Sequence, residues 1–93
     1  MISGSLFYSI VFSRFARKEL EKLDHSIALR ILKKIENLPE NPRPVGCKKL
    51  TGLNSLWRIR IGDYRVVYEI DDPHRRIDIS IVRHRSKVYN NID

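Results

Sequence analysis

The stretch Trp57-Arg58-Ile59-Arg60-Ile61-Gly62-Asp63-Tyr64-Arg65-Val66-Val67-Tyr68-Glu69-Ile70 decides the fold. Its first five residues alternate apolar and basic, which predicts a strand with Arg58 and Arg60 on one face. Gly62-Asp63 is a two-residue turn sequence, so the chain should return antiparallel and bring Arg65 close to Ile61 or Arg60. Neighbouring guanidinium groups repel one another. A face that collects them is therefore typical of a site that binds an anion.

Before this stretch, the pattern predicts a strand, two helices and a loop. Residues 6–12 are rich in aromatic and β-branched side chains and indicate a strand. Ser13 is placed to cap a first helix beginning at Arg14, and apolar residues at helical spacing predict a second helix over 27–38. The link between the helices is short, so they should run antiparallel. Three prolines within 39–46 then end the second helix.

After the loop, three strands are expected at 57–61, 64–70 and 77–82, with Ile77, Ile79 and Ile81 forming one apolar face of the last. Strands this close in sequence should pair as an antiparallel meander. The order β-α-α-β-β-β predicts an α+β fold over residues 1–93, a single domain. We expect a curved antiparallel sheet covered on one face by the helical hairpin, with its other face open.

Charge points towards a polyanionic partner. The 93 residues carry a net charge of +7, with basic residues on predicted strands, and nucleic acid is favoured over a membrane because no basic amphipathic helix with aromatic anchors occurs. A high positive charge that only maintains solubility is the alternative interpretation. No apolar run reaches the length of a membrane span and no signal peptide is recognisable, so a cytoplasmic location is expected. The single cysteine, Cys47, is interpreted as an ordinary loop thiol.

The candidate catalytic residues are cationic, aromatic or imidazole side chains near the C-terminal strands: Arg58, Arg60, Arg65, Arg83, His84 and Tyr89. RNA carries its own nucleophile, the 2′-OH, so an enzyme needs only to orient it, remove its proton and stabilise the phosphate charge. Arginine is better suited to stabilise charge than to donate a proton, because its pKa exceeds about 12. Surrounding cations would favour the phenolate of Tyr89.

Histidine side chains in general exchange protons near neutral pH, which makes His84 chemically the better candidate for a proton shuttle. Strand alternation, however, places it on the face opposite to Arg83 unless the strand has already ended. A single arginine on an exposed sheet face is most often an ordinary surface residue in contact with solvent and has no role in binding. The number of cations that converge on this sheet is what favours a site. The sequence offers no Ser-His-Asp triad, glycine-rich phosphate loop or metal-ligand spacing, and neither a cofactor nor a metal is expected.

The stretch 57–70, followed by Ile81-Val82-Arg83-His84-Arg85-Ser86-Lys87-Val88-Tyr89, closely resembles the RelE/ParE superfamily of toxins from toxin–antitoxin pairs. The resemblance extends over nearly the whole chain, and its Arg-His-Arg…Val-Tyr ending favours the RelE-like branch. That branch implies ribosome-dependent cleavage of mRNA by 2′-OH attack on the adjacent phosphate, which inhibits translation.

By position, the resemblance implies that Arg58, Arg60 and Arg65 hold the phosphate, that Arg83 acts on the leaving oxygen, and that Tyr89 is the base or orients the nucleophile. His84 is kept as an alternative, because some relatives use a histidine near the C-terminus. Further RNA contacts are expected from four neighbouring cations: Lys48, Lys49, Arg85 and Lys87.

The implied partners are a cognate antitoxin, the ribosome and mRNA, with operator DNA reached only through the antitoxin complex. Two other functions stay open at this point. One is a ParE-like inhibitor of DNA gyrase that acts by protein–protein contact, and the other is a non-catalytic nucleic-acid-binding module.

Overall fold

A two-residue turn at Gly62 and Asp63 joins the two central strands, as the sequence predicts. Gly62 has a φ of +58°, which suits the first position of a type II′ hairpin turn and favours glycine there. The computed structural model describes residues 7–50 and 55–88. Within them the chain forms β1 Ser9–Phe12, α1 Arg14–Glu21, α2 His25–Glu36, β2 Lys48–Lys49, β3 Leu56–Ile61, β4 Tyr64–Asp71, β5 Arg76–His84 and a short 3₁₀ helix Arg85–Lys87.

Local sequence explains where the first helix begins. The Ser13 hydroxyl accepts a hydrogen bond from the backbone N–H of Ala16 at 2.9 Å, which satisfies one donor that the helix leaves unpaired. Asp24 precedes α2, and its side chain makes no capping hydrogen bond. In the described part of the chain, neither helix is long and apolar enough to cross a membrane.

Residues 7–50 and 55–88 contribute five strands to one sheet, in the order β1-β5-β4-β3-β2. Strands β3, β4 and β5 form the predicted antiparallel meander. β1 pairs with β5 in parallel, so the sheet is mixed and not wholly antiparallel as the sequence had suggested. β1 lies beside β5, the last strand among the described residues, which the chain reaches only after both helices and the rest of the meander. Strands so far apart in sequence need not pair as a hairpin does, so neighbourhood along the chain does not predict their direction. β2 is two residues long, and no strand was predicted there.

One face of the sheet packs against the helices and forms the main core. The buried members from the helices include Ala16, Ile31 and Ile35, and those from the sheet include Ile59 and Val66. Burying each isoleucine or valine side chain of this core contributes about 1.5–3 kcal/mol. A smaller cluster on the opposite face is made of Leu50 and Val67, with Leu56, Ile81 and Val88 against them. The helical layer thus leaves the second face of the sheet for other uses.

An irregularity in β5 changes which residues reach that second face. Tyr68 pairs with Ile79 while Val67 pairs with Ile81, so one extra residue, Ser80, is accommodated between them as a bulge. Ile79 is therefore in the main core, whereas Ile81 packs with Val67 on the opposite face. The prediction that Ile77, Ile79 and Ile81 share one face is wrong for Ile81, because counting in twos does not allow for a bulge.

Candidate functional site

Three arginines lie in one row across the three strands of the meander. Arg60 of β3 pairs with Arg65 of β4, and Arg65 pairs in turn with Arg83 of β5. Directly opposed residues point to the same face with Cβ atoms about 4.5–5.5 Å apart. This is the face opposite to the helices, because their β4 and β5 neighbours Val66 and Val82 are in the main core. We call these three residues the arginine row.

A second row lies beside the first on the same face. Lys48 of β2 pairs with Arg58, and Arg58 pairs with Val67 of β4. The cations of this second row therefore lie at the β2–β3 side of the face, while the apolar cluster around Val67 and Ile81 occupies the other end of the row. Like charges directly opposed across strands destabilise a sheet, so this arrangement costs stability unless an acceptor or anion offsets it.

Two of these arginines are largely buried: Arg58 is 5% exposed and Arg65 is 4% exposed. The Arg65 guanidinium donates through Nη1 to the carbonyls of Gly62 and Tyr64, both at 3.1 Å, so it braces the hairpin turn. The Arg58 guanidinium donates through Nη1 to the carbonyl of Gly46 at 3.3 Å. Carbonyl acceptors offset part of the cost of burying a cation and hold its side chain in one direction. Arg60, by contrast, is exposed.

Arg83 is held from two sides. Its guanidinium carbon lies 4.7 Å from the ring centroid of Phe15, a cation–π contact with the first turn of α1. Its Nη1 also donates to the carbonyl of Lys87 at 3.5 Å, a weak hydrogen bond. Phe15 is 42% exposed, although it is a large aromatic side chain.

His84 does not join the arginine row. β5 extends through His84, which pairs with Tyr64 and meets its ring edge-on at a centroid distance of 5.3 Å. Tyr64 packs against the main core, so His84 is on the helix side of the sheet. Its Nδ1 is 2.9 Å from Ser86 Oγ and accepts the Ser86 backbone N–H at 3.2 Å, which caps the 3₁₀ helix. The predicted opposition of His84 and Arg83 is confirmed.

The four cations expected to make further RNA contacts are divided by the fold. Lys48 shares the face of Arg58, whereas Lys49 pairs with Trp57, which packs against the main core. Arg85 and Lys87 are exposed in the 3₁₀ helix. Arg85 Nε lies 3.8 Å from an Asp63 carboxylate oxygen at the hairpin turn.

Tyr89 lies outside the described residues, so its predicted role stays a prediction. Among described tyrosines, Tyr68 is unsuited to act as a base: it is fully buried in the main core, its hydroxyl donates to the carbonyl of Pro42 at 2.7 Å, and burial raises its pKa. Over residues 7–50 and 55–88, no group of three or more His, Cys, Asp or Glu side chains is placed to hold a metal ion. Cys47 is a partly buried thiol packed against the core.

Comparison with known proteins decides the family. Residues 10–89 match the family described as the ParE toxin of type II toxin–antitoxin systems. The chain is 35% identical to toxin RelE of Mycobacterium tuberculosis, covering 88% of this chain and 86% of that protein.

The chain belongs to the RelE/ParE toxin superfamily.

Further relatives agree with this membership. The mRNA interferase toxin RelE of Escherichia coli K12 is 31% identical over 89% of this chain and 90% of its own length. Among solved structures, RelE in the archaeal RelE–RelB complex of Pyrococcus horikoshii superposes with a TM-score of 0.77 at 28% identity, covering 88% of this chain and 99% of that one. RelE in the intact E. coli RelBE complex gives a TM-score of 0.74 at 28% identity, with coverages of 83% and 95%. The predicted superfamily and α+β fold are therefore confirmed, and this RelE/ParE protein is a toxin of a toxin–antitoxin system.

Sequence reasoning missed two parts of the site. Phe15 is 68 positions from Arg83 in the chain, and nothing in the helical period of α1 indicates that it contacts a guanidinium. The Gly46 carbonyl that accepts the hydrogen bond from Arg58 belongs to the proline-rich loop. From sequence, this loop was interpreted only as the segment that ends the second helix. The one usable signal was the glycine: Gly46 has a φ of +93°, a conformation that favours glycine.

Proposed function

We propose that this RelE/ParE protein is a ribosome-dependent mRNA endoribonuclease that cleaves by 2′-OH attack on the adjacent phosphate. The observation that carries the proposal is the arginine row, three guanidinium groups in register across Arg60, Arg65 and Arg83. A phosphodiester that gains negative charge in its transition state is the kind of substrate that such a row stabilises. The name of the E. coli relative, mRNA interferase toxin RelE, supports the same activity.

The residues take different roles in this proposal. Arg60 is exposed and contacts the phosphate directly, with Lys48 and Arg58 on the adjacent row. Arg65, buried and bonded to the hairpin turn, adds positive charge from a fixed position. Arg83 stabilises the leaving oxygen. Tyr89 orients or deprotonates the 2′-OH, and His84 is left out because it lies on the helix side of the sheet.

The proposed partners are a cognate antitoxin, the ribosome and mRNA in the cytoplasm. Relatives from P. horikoshii and E. coli have been solved in complexes of RelE with RelB, which supports a protein antitoxin here. Contact with operator DNA is assigned to the antitoxin complex and not to this chain alone.

Cleavage of mRNA on programmed ribosomes tests the proposal. Arg83→Ala and Arg60→Ala should each reduce the single-turnover cleavage rate by roughly 10²–10³-fold, the loss typical of removing one transition-state charge stabiliser. Arg17→Ala removes an exposed cation from α1 and is the matched control, with an expected change of less than about twofold. Full activity of both row variants would contradict the site assignment.

Inhibition of DNA gyrase, the alternative function, predicts that DNA synthesis stops before protein synthesis in cells, whereas mRNA cleavage predicts the opposite order. Pulse labelling of protein and DNA synthesis after induction should show loss of methionine incorporation first. Early loss of thymidine incorporation, with translation continuing, would instead support gyrase inhibition and contradict the proposed activity.

A further inference from the structure

The chain that follows β5 passes from the helix side of the sheet to the face that carries the arginine row. His84, the last residue of β5, lies on the helix side, where its ring meets Tyr64 edge-on at a centroid distance of 5.3 Å. Val88 packs with Val67 in the apolar cluster of the opposite face. The short 3₁₀ helix lies between the two. We call residues 85–88 the crossing turn.

Two hydrogen bonds hold the beginning of the crossing turn. The backbone N–H of Arg85 donates to the carbonyl of Asp63 in the β3–β4 turn at 2.7 Å. The next N–H, that of Ser86, donates to Nδ1 of His84 at 3.2 Å. The first N–H groups of a helix have no acceptor within the helix itself, so each depends on a partner outside it. One carbonyl and one imidazole nitrogen therefore set where the crossing turn starts.

The far end of the crossing turn supports Arg83. The carbonyl of Lys87 accepts a hydrogen bond from Nη1 of Arg83 at 3.5 Å, while the ring of Phe15 lies on the other side of the guanidinium. A shift of the turn therefore moves one of the two supports of this arginine. The turn also ends one residue before Tyr89 in the sequence. The His84 side chain can thus act on the arginine row although it lies on the opposite face of the sheet.

We propose that His84 is a positioning residue for mRNA cleavage, an inference that rests on the proposed function. Its Nδ1 accepts the Ser86 N–H and holds the crossing turn, and the Lys87 carbonyl of that turn holds Arg83. Because Nδ1 is the acceptor, the neutral ring carries its proton on Nε2. In this role His84 transfers no proton and does not touch the RNA.

A pair of substitutions at His84 tests the role of its Nδ1 acceptor. Asparagine places Oδ1 where Nδ1 of histidine lies, whereas leucine places a methyl group there. Both variants lose the ring, its contact with Tyr64 and any capacity for proton transfer. On programmed ribosomes, His84→Asn should cleave mRNA within about threefold of the wild-type single-turnover rate, because asparagine is a good capping residue. His84→Leu should be slower than the wild type by roughly 5- to 30-fold, which corresponds to about 1–2 kcal/mol.

Two controls accompany this pair. His25→Asn and His25→Leu make the same changes at an exposed histidine of α2 and should each alter the rate by less than about twofold. Ser86→Ala keeps the backbone N–H but removes the hydroxyl, whose Oγ lies 2.9 Å from Nδ1 of His84. Its rate should also stay within about twofold of the wild type. Urea unfolding checks that each variant is folded under the assay conditions.

Three kinetic results would overturn the proposal. Equal losses in His84→Asn and His84→Leu would show that the imidazole ring itself is needed, as a proton carrier would be. A Ser86→Ala loss as large as that of His84→Leu would assign the effect to the serine hydroxyl. A wild-type rate in folded His84→Leu would show that cleavage does not depend on the cap.

Nitrogen-15 NMR of the His84 ring separates this inference from the proposed function. In the free wild-type protein at about pH 8, where histidine is neutral, Nε2 should carry the proton and Nδ1 should not. A proton on Nδ1 would overturn the inference whether or not the protein cleaves mRNA. The expected tautomer in a protein that cuts no mRNA on ribosomes would contradict the proposed function, while the hold of His84 on the crossing turn would stand.

Discussion

Phe15, a residue of α1, holds the side chain of Arg83, a residue of the arginine row on β5. A partly exposed arginine near the end of a strand, as Arg83 is, can adopt several rotamers, and holding it in one costs conformational entropy. The ring of Phe15 lies beneath its guanidinium at 4.7 Å and restricts that freedom without neutralising the charge. Phe15 is therefore a positioning residue for Arg83.

Phe15→Leu should slow mRNA cleavage while leaving the fold intact. A cation–π contact contributes about 0.5–2 kcal/mol, which corresponds to roughly 2- to 30-fold in the single-turnover rate. Phe15→Tyr keeps the aromatic ring and should cleave mRNA at nearly the wild-type rate. If Phe15 acted only through its apolar area, the Phe15→Tyr and Phe15→Leu variants should cleave at similar rates.

Phe7→Leu provides the matched control for this experiment. Phe7 is 43% exposed, almost the same as Phe15 at 42%, so its substitution removes a comparable aromatic surface. Equal rates for Phe15→Leu and the wild type, or equal losses at both positions, would contradict the positioning role.

At the scale of elements, the bulge in β5 accommodates Ser80 as an unpaired residue and thereby keeps Arg83 opposite Arg65 in the arginine row. Ile79 and Val82 are both in the main core although they are three residues apart, because Ser80 is the extra residue between them. If Ser80 were paired regularly, opposite Val67, Arg65 would face Val82 and Arg83 would leave the row. If Ser80 were absent, Tyr68–Ile79 and Val67–Ile81 would be consecutive regular pairs, and Arg83 would stay opposite Arg65.

Deleting Ser80 should therefore preserve both the fold and the site. We expect a loss of about 1 kcal/mol, chiefly the hydrogen bond that the Ser13 hydroxyl donates to the Ser80 carbonyl at 2.9 Å. Deleting Asp78 is the control, because regular pairing would then turn Ile79 out of the core and cost about 2–5 kcal/mol. Urea unfolding measures both. A Ser80 deletion as damaging as the Asp78 deletion would contradict this account of the bulge.

The same elements show what local pattern can and cannot predict. Alternation and the Gly62-Asp63 turn within residues 57–70 were sufficient to predict the meander from sequence. The capping residue Ser13 was sufficient to predict where α1 begins. The bulge at Ser80 and the parallel pairing of β1 depend on contacts between distant segments, which no local period encodes. β2 has two residues, too few for alternation to be recognised. The arginines of the row could be named from sequence, but the Phe15 contact could not.

At the scale of the whole molecule, a polar cluster ties together three segments that are far apart in the chain. Tyr8, just before β1, donates its hydroxyl proton to Asp72 in the β4–β5 turn. Arg43 of the proline-rich loop donates to the same carboxylate at 2.9 Å and lies over the ring of Trp57 at 5.1 Å. The cluster thereby fixes the loop that supplies the Gly46 carbonyl to Arg58.

The Asp72 carboxylate gives this cluster a pH dependence. The hydrogen bond from Arg43, then that from Tyr8, hold the pKa of Asp72 below its ordinary value of about 3.9. A group with a lowered pKa in the folded state stabilises the fold fully above its unfolded pKa, and this contribution is lost as the pH falls through the folded pKa. The ion-paired form of Asp72 should therefore stabilise the protein at pH 7 and cease to do so in acid.

Asp72→Asn should lower the urea midpoint at pH 7, and the difference from wild type should shrink steadily as the pH falls below about 4. Glu21→Gln, which neutralises an exposed acid of α1, should give a smaller difference at pH 7. A difference for Asp72→Asn that stays constant from pH 7 to pH 3 would show that the carboxylate charge does not hold the cluster together. The cleavage rate of Asp72→Asn at pH 7 should stay near that of the wild type although its urea midpoint is lower. Arg43 and Tyr8 can still donate hydrogen bonds to the asparagine carbonyl, which keeps the loop near Arg58.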